Sequence, residues 1–100
     1  MGYVLTQDAK KDLKSIWRYT SDTWGVAQAD RYYRQLESCF LSITRGEISG
    51  RSVPGADDDL LSVRCQHHYI FFLSGEEVVI VGVLHEKMDF TSRLKNRLGD

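Results

Sequence analysis

The apolar residues of this chain keep one period in its first half and another in its second, and that change limits the folds open to it. Ala9, Leu13, Ile16, Trp17, Thr20 and Trp24 recur at steps of three to four, and so do Ala29, Tyr32, Tyr33, Leu36, Phe40 and Ile43. Each set lies on one stripe of an amphipathic helix, with Lys10, Lys11, Lys14 and Arg18 largely off the first stripe. Gly25 stands between the two sets and can take the left-handed conformation that ends a helix, so the pair reads as an antiparallel helical hairpin. From Leu61 the step becomes two. Leu61, Val63 and Cys65 alternate with Ser62, Arg64 and Gln66, as on a half-buried strand.

The remaining segments fit around these. Tyr3-Val4-Leu5 is a short β-rich run ending at Thr6, a good N-cap, with Asp8 placed to favour the positive end of the first helix. Residues 45–59 combine three glycines, the lone proline and three aspartates without any sustained period, which predicts a loop. The runs His68 to Leu73 and Val78 to His85 flank Ser74-Gly75-Glu76-Glu77 as the arms of a β-hairpin, and the second run is apolar on both faces. Met88-Asp89 opens a last short helix with Phe90, Leu94 and Leu98 on an apolar line and Arg93, Lys95 and Arg97 toward water. The order is β-α-α-β-β-β-α. An α+β domain follows for residues 1–100, with the N-terminal strand and helical hairpin packed on one face of a mainly antiparallel sheet.

Composition narrows what such a domain can do. With 42% hydrophobic and 27% charged residues and one proline, the chain has the profile of a folded globular domain. A formal net charge of -1 provides no global field for DNA, RNA or an anionic membrane, so direct nucleic-acid binding would need a local patch. The opening MGYVLTQDAKKDL lacks a basic region followed by a long apolar stretch, and Val78 to Leu84 is too short to span a bilayer. Cys39 and Cys65 form no close sequence pair. Together these predict a cytoplasmic chain with reduced core thiols, no membrane segment and no cofactor.

Several chemistries compete for the polar residues. His67, His68, His85, Cys39 and Cys65 are metal-ligand types, but adjacent histidines in one strand point to opposite faces, which argues against a shared ion. Cys65 lies two residues from His67, a spacing that allows a nucleophile and base, yet it also continues the apolar face of Leu61 and Val63. Arg64, His67, His85 and Glu86 come from strand ends and can converge on a phosphodiester, although no spacing fixes a full acid–base set. Lys10, Lys11, Lys14 and Arg18 are either a solvated face or a docking surface for an acidic partner. Trp17, Trp24, Tyr19, Tyr32 and Tyr33 supply more rings than a small core needs, so some are expected to line a groove for a partner helix.

Leu5-Thr6, Ala9, Asp12-Leu13, Ile16-Trp17, Tyr19-Thr20, Trp24-Gly25, Gln28-Ala29-Asp30, Tyr32 with Leu36, His68 with Ile70-Phe71-Phe72, and Val83-Leu84-His85 with Met88-Asp89 occur in an order that resembles the RelE/ParE toxin superfamily. The doubled His67-His68 and the ending MDFTSRLKNRL resemble its ParE branch more narrowly. The resemblance implies the toxin of a type II toxin–antitoxin pair that poisons DNA gyrase and blocks replication without enzymatic chemistry, with a place in plasmid maintenance or stress response. It also implies a ParD-like antitoxin that folds around the toxin. The alternative it carries is the RelE activity, ribosome-dependent mRNA cleavage, for which Arg64, His67 and His85 would serve. Gly82 stands where many members have arginine, and no tyrosine follows Tyr69, which disfavours that alternative. Arg64, His67, Arg93 and Arg97 are the expected target-binding residues. Lys10, Lys14, Trp17, Arg18 and Tyr33 are the expected antitoxin-binding ones.

Overall fold

The computed structural model describes residues 2–56 and 59–97. Its elements are β1 (Tyr3–Leu5), α1 (Gln7–Trp24), α2 (Val26–Thr44), β2 (Arg51–Ser52), β3 (Leu60–Cys65), β4 (His68–Leu73), β5 (Val78–His85) and α3 (Phe90–Arg97). Thr6 caps α1 as its sequence suggests, its Oγ1 accepting from the Ala9 amide at 3.1 Å. Gly25, at φ 98, joins the helices: its amide donates to the Ser21 carbonyl and its own carbonyl accepts from the Ala29 amide. A side chain at that φ would be strained, so the glycine is what permits so short a reversal.

The five strands form one sheet in the order β1-β5-β4-β3-β2. β1 runs parallel to β5, and the other pairings are antiparallel. The segment 45–59, expected as loop throughout, contributes the two-residue edge strand β2. Alternation splits the sheet's side chains between two cores. Val63, Cys65, Ile70, Phe72, Ile80 and Val83 pack against Ala9, Leu13, Leu36, Phe40 and Ile43 of the helical hairpin. Leu60, Phe71, Val81 and Leu84 pack on the opposite face against Leu94 of α3. Phe90 completes that face, its ring 5.0 Å from Phe71 and 5.2 Å from Tyr69.

One irregularity sets everything at the far end of β5. Between Phe71 and Phe72 the register shifts, with Phe72 opposite Ile80 but Phe71 opposite Gly82, so Val81 is an extra residue. A bulge of this kind flips the facing of all that follows. Val83 therefore joins Ile80 on the helical face, and His85 comes to lie opposite His68.

β1 ends at Leu5, opposite Ile80, leaving the next stretch of β5 without a strand on the edge away from β4. Side chains take its place. Asp12 Oδ2 accepts from the Val83 amide at 2.9 Å, and Arg97 Nη1 donates to the Val81 carbonyl at 3.3 Å. The two side chains also pair with each other through two hydrogen bonds of 2.6 and 2.8 Å. Arg97 thus departs from its expected place on a water-facing line: its side chain is only 14% exposed. Leu98, expected on the apolar line of the same helix, lies outside the described residues.

The cysteines also depart from expectation. Cys39 of α2 and Cys65 of β3 are joined as a disulfide, with Cα atoms 6.7 Å apart. Packing α2 across the sheet brings together residues separated by 26 positions, which spacing along the chain could not reveal.

Candidate docking surfaces

Two regions gather the polar and aromatic residues. The first is the corner formed by the β3–β4 turn and the end of β5. His67 lies in the turn rather than in a strand, and Gln66 before it has φ 59, a left-handed conformation rare for a side chain of its size. His67 and His68 are therefore not two faces of one strand. Nor do Cys65 and His67 share a strand face; Cys65 is paired in register with His68.

Around this turn the contacts form two connected sets. Arg64 pairs with Glu86, donates from Nε to the Gln66 carbonyl at 3.1 Å, and lies 5.8 Å from the Tyr69 ring centre. His67 Nδ1 is 3.4 Å from Glu86 Oε2, so one carboxylate links both side chains. Desolvation alone would raise the Glu86 carboxyl, but Arg64, the hydrogen bond from His67 and the charges of His67 and His85 outweigh it and hold the group below its ordinary value. With side-chain exposures of 54% and 70%, Arg64 and His67 both face solvent.

Behind them lies a more buried set. The Tyr32 hydroxyl accepts from the His67 amide at 3.3 Å and sits 2.6 Å from His68 Nδ1. Desolvation raises the Tyr32 phenol, against the His67 backbone bond and with help from Glu86, so it stays a donor. The His68 and His85 rings meet edge to face at 5.1 Å, and His85 Nδ1 accepts from the Lys87 amide at 3.2 Å.

Burial lowers the His68 imidazole from 6.5 to about 4; the charges of His85 and His67 push the same way, while Glu86 and Asp12 oppose. The folded chain therefore binds fewer protons than the unfolded chain between these values. His68 contributes stability that is present above pH 6.5 and is lost as pH falls toward 4. Urea midpoints measured across that window should decline with acidity in the parent and lose much of that slope in His68→Gln. An equal slope in both would refute the assignment.

The second region is a groove of about 290 Å³ lined by Leu5, Lys10, Leu13, Lys14, Trp17 and Tyr33. Four apolar or aromatic side chains form its walls, with two lysines among them, and the Trp17 indole is fixed by donation to Asp30 at 3.0 Å. Four of the five residues expected at a partner surface line this groove; Arg18 is exposed but lies outside the lining. Trp24, placed on the apolar stripe by spacing, is 71% exposed at the hairpin tip.

The expected target-facing residues divide. Arg64, His67 and Glu86 meet at the corner, with His85 beside them through His68. Arg93 is exposed on α3, and Arg97 is committed to Asp12. Tyr32 and His68 were missed as site residues because each also fits an apolar pattern. Among the described residues no group of three or more His, Cys, Asp or Glu side chains is arranged to hold a metal ion. No helix there is long and apolar enough to cross a membrane.

A helical hairpin on one face of a mixed five-stranded sheet, with a short helix on the other, is an α+β fold. It superimposes on a solved structure described as the chromosomal ParDE TA system from P. aeruginosa with a TM-score of 0.71 at 17% identity, covering 85% of this chain and 95% of that one. The sequence model of the ParE toxin of type II toxin–antitoxin system, parDE, matches residues 3–90. Toxin ParE of Escherichia coli is 41% identical over 99 residues, covering 97% of this chain and 96% of that protein. Toxin ParE1 of Caulobacter vibrioides is 36% identical over 96 residues, covering 92% and 96%. The chain belongs to the ParE toxin family of type II toxin–antitoxin systems.

Proposed function

We propose that this toxin acts in the cytoplasm by binding and poisoning DNA gyrase, blocking replication without enzymatic chemistry of its own, and that a ParD-like antitoxin neutralises it. The observation that carries the target side of this reading is the exposed corner of Arg64, His67 and Glu86, set at the β3–β4 turn and the end of β5 and backed by Tyr32 and His68. Arg93 on α3 is a further contact in this reading, whereas Arg97 acts by holding α3 in place. Purified toxin incubated with gyrase, supercoiled DNA and ATP should accumulate cleaved DNA, and Arg64→Ala should weaken the effect. Full gyrase activity at saturating toxin would sink the proposal.

The antitoxin's place is the groove between β1, α1 and α2. Its walls suit an apolar segment and its lysines suit acidic residues beside it. Truncating Trp17 to alanine is expected to weaken antitoxin binding by at least about 2 kcal/mol, roughly thirtyfold. Lys14→Glu should slow association chiefly at low salt. Calorimetry and stopped-flow kinetics on variants with unchanged circular dichroism would check both, and parental affinity in Trp17→Ala would move the antitoxin elsewhere.

A second reading, ribosome-dependent mRNA cleavage, is favoured only by the neighbouring His68 and His85 rings beside Arg64 and His67. Transcript cleavage on translating ribosomes that disappears in His85→Ala would support it over the first.

A further inference from the structure

We propose that the Cys39–Cys65 pair is a reversible redox site that sets how firmly the charged corner is held against α2, and with it the strength of target binding. The functional half of this inference rests on the gyrase reading above; the structural half does not.

The geometry couples the pair to the corner at close range. Cys65 is the last residue of β3, register partner of His68 and neighbour of the strained Gln66. Cys39 lies seven positions, about two helical turns, after Tyr32, so both project from the same side of α2. Two ties therefore hold the turn to the helix: the sulfur–sulfur bond at one point and the Tyr32 bonds to His67 and His68 at the other. Removing the first leaves the corner held by hydrogen bonds and packing alone.

Both oxidation states fit the same site. The Cα separation of 6.7 Å lies within the range that a disulfide bridges. Once reduced, the Cys65 thiol has the Gln35 carbonyl as an acceptor at 3.7 Å, so the buried sulfur is not left unpartnered. Access comes from one side, because Cys65 is 5% exposed whereas Cys39 is only partly buried. A dithiol reductant attacks Cys39 Sγ as its thiolate; the Cys39–Cys65 bond breaks, and Cys65 leaves as a thiolate and takes a proton. The second thiol of the reductant then displaces Cys39, and the reductant departs as its own disulfide. A low-molecular-weight disulfide as oxidant reverses both steps.

The full chain, prepared with glutathione disulfide or with a dithiol, provides the test. N-ethylmaleimide labelling in denaturant, read by mass, should find no thiol in the first form and two in the second. On reduction the ring resonances of His67 and His68 should shift and broaden while the Trp17 indole resonance stays, and Cys39→Ala should reproduce the reduced pattern. Inhibition of gyrase should weaken by about tenfold, since a corner no longer pre-ordered must be ordered on binding. Two labelled thiols in the disulfide-treated chain, unmoved histidine resonances, or equal potency of the two forms would each overturn the inference. If neither form affects gyrase, the gyrase reading fails and the labelling and resonance results alone decide whether the redox site exists.

Discussion

Asp12→Ala is expected to destabilise the fold by about 3 kcal/mol, because it leaves a largely buried guanidinium with only the more exposed Asp8 carboxylate, 4.0 Å away, as counter-charge. Arg97 and Asp12 expose only 14% and 13% of their side chains, and their paired hydrogen bonds are of the short, charge-assisted kind. The bond to Asp12 raises the Arg97 guanidinium above its ordinary value, with desolvation opposing and the charges of Asp12 and Asp8 assisting. The substitution also removes the acceptor of the Val83 amide at the open edge of β5. For a domain of this size the loss corresponds to a fall in Tm of about 12 °C or more. Asp12→Asn, which keeps acceptor oxygen but not charge, should fall between the two. A Tm within 3 °C of the parent for Asp12→Ala, by about the same conversion, would mean that the pair is solvated and that α3 is held by Phe90 and Leu94 alone.

Gly82 belongs to the same device. A Cβ at this position would lie 2.5 Å from Arg97 Nη1 and 3.5 Å from Asp12 Oδ2, so the missing side chain is what lets the guanidinium approach the strand. Arg97, reaching over from α3, fills the space in front of this glycine. Gly82→Ala should therefore cost stability in the parent and much less in an Arg97→Ala background. Equal costs in the two backgrounds would separate the glycine from the ion pair.

What the sequence disclosed follows from which signals are local. The two helices, the strands 61–65, 68–73 and 78–85 and the turn at Gly25 are written in periodicity and turn chemistry, and each lies within a residue or so of its expected place. The pairing of His68 with His85 was not legible. Counting on from the observed Leu73–Val79 pair without an irregularity sets His68 opposite Leu84, and only the extra residue Val81 moves His85 into that position. No residue type near Val81 announces it. Arg97 was misplaced for a related reason: on a short helix a charged residue off the apolar line normally faces water, and its partner Asp12 lies 85 positions away. The groove was more accessible, because aromatic and basic residues one turn apart on α1 had to share a neighbourhood whatever the rest of the chain did.

The largest effect within the hairpin core should come from the covalent tie. Closing a loop between positions 26 apart removes chain entropy from the unfolded state, which corresponds to about 3.5 kcal/mol of stability for the oxidised protein. Cys39→Ala forfeits that term, and because Cys39 is only partly buried it adds little cavity cost. Cys65→Ala forfeits the same term and in addition empties a site 5% exposed between Val63 and the helices, so it should be the worse of the two. The comparison has an internal control: under a dithiol the parent loses the loop constraint, and Cys39→Ala should then match it closely. Denaturant midpoints of parent and variant, each with and without reductant, give the four values needed. If reductant leaves the parent midpoint unchanged, the disulfide either does not form in solution or constrains an unfolded chain that is already compact there. Labelling the thiols separates these outcomes, since only the first leaves both cysteines free to react.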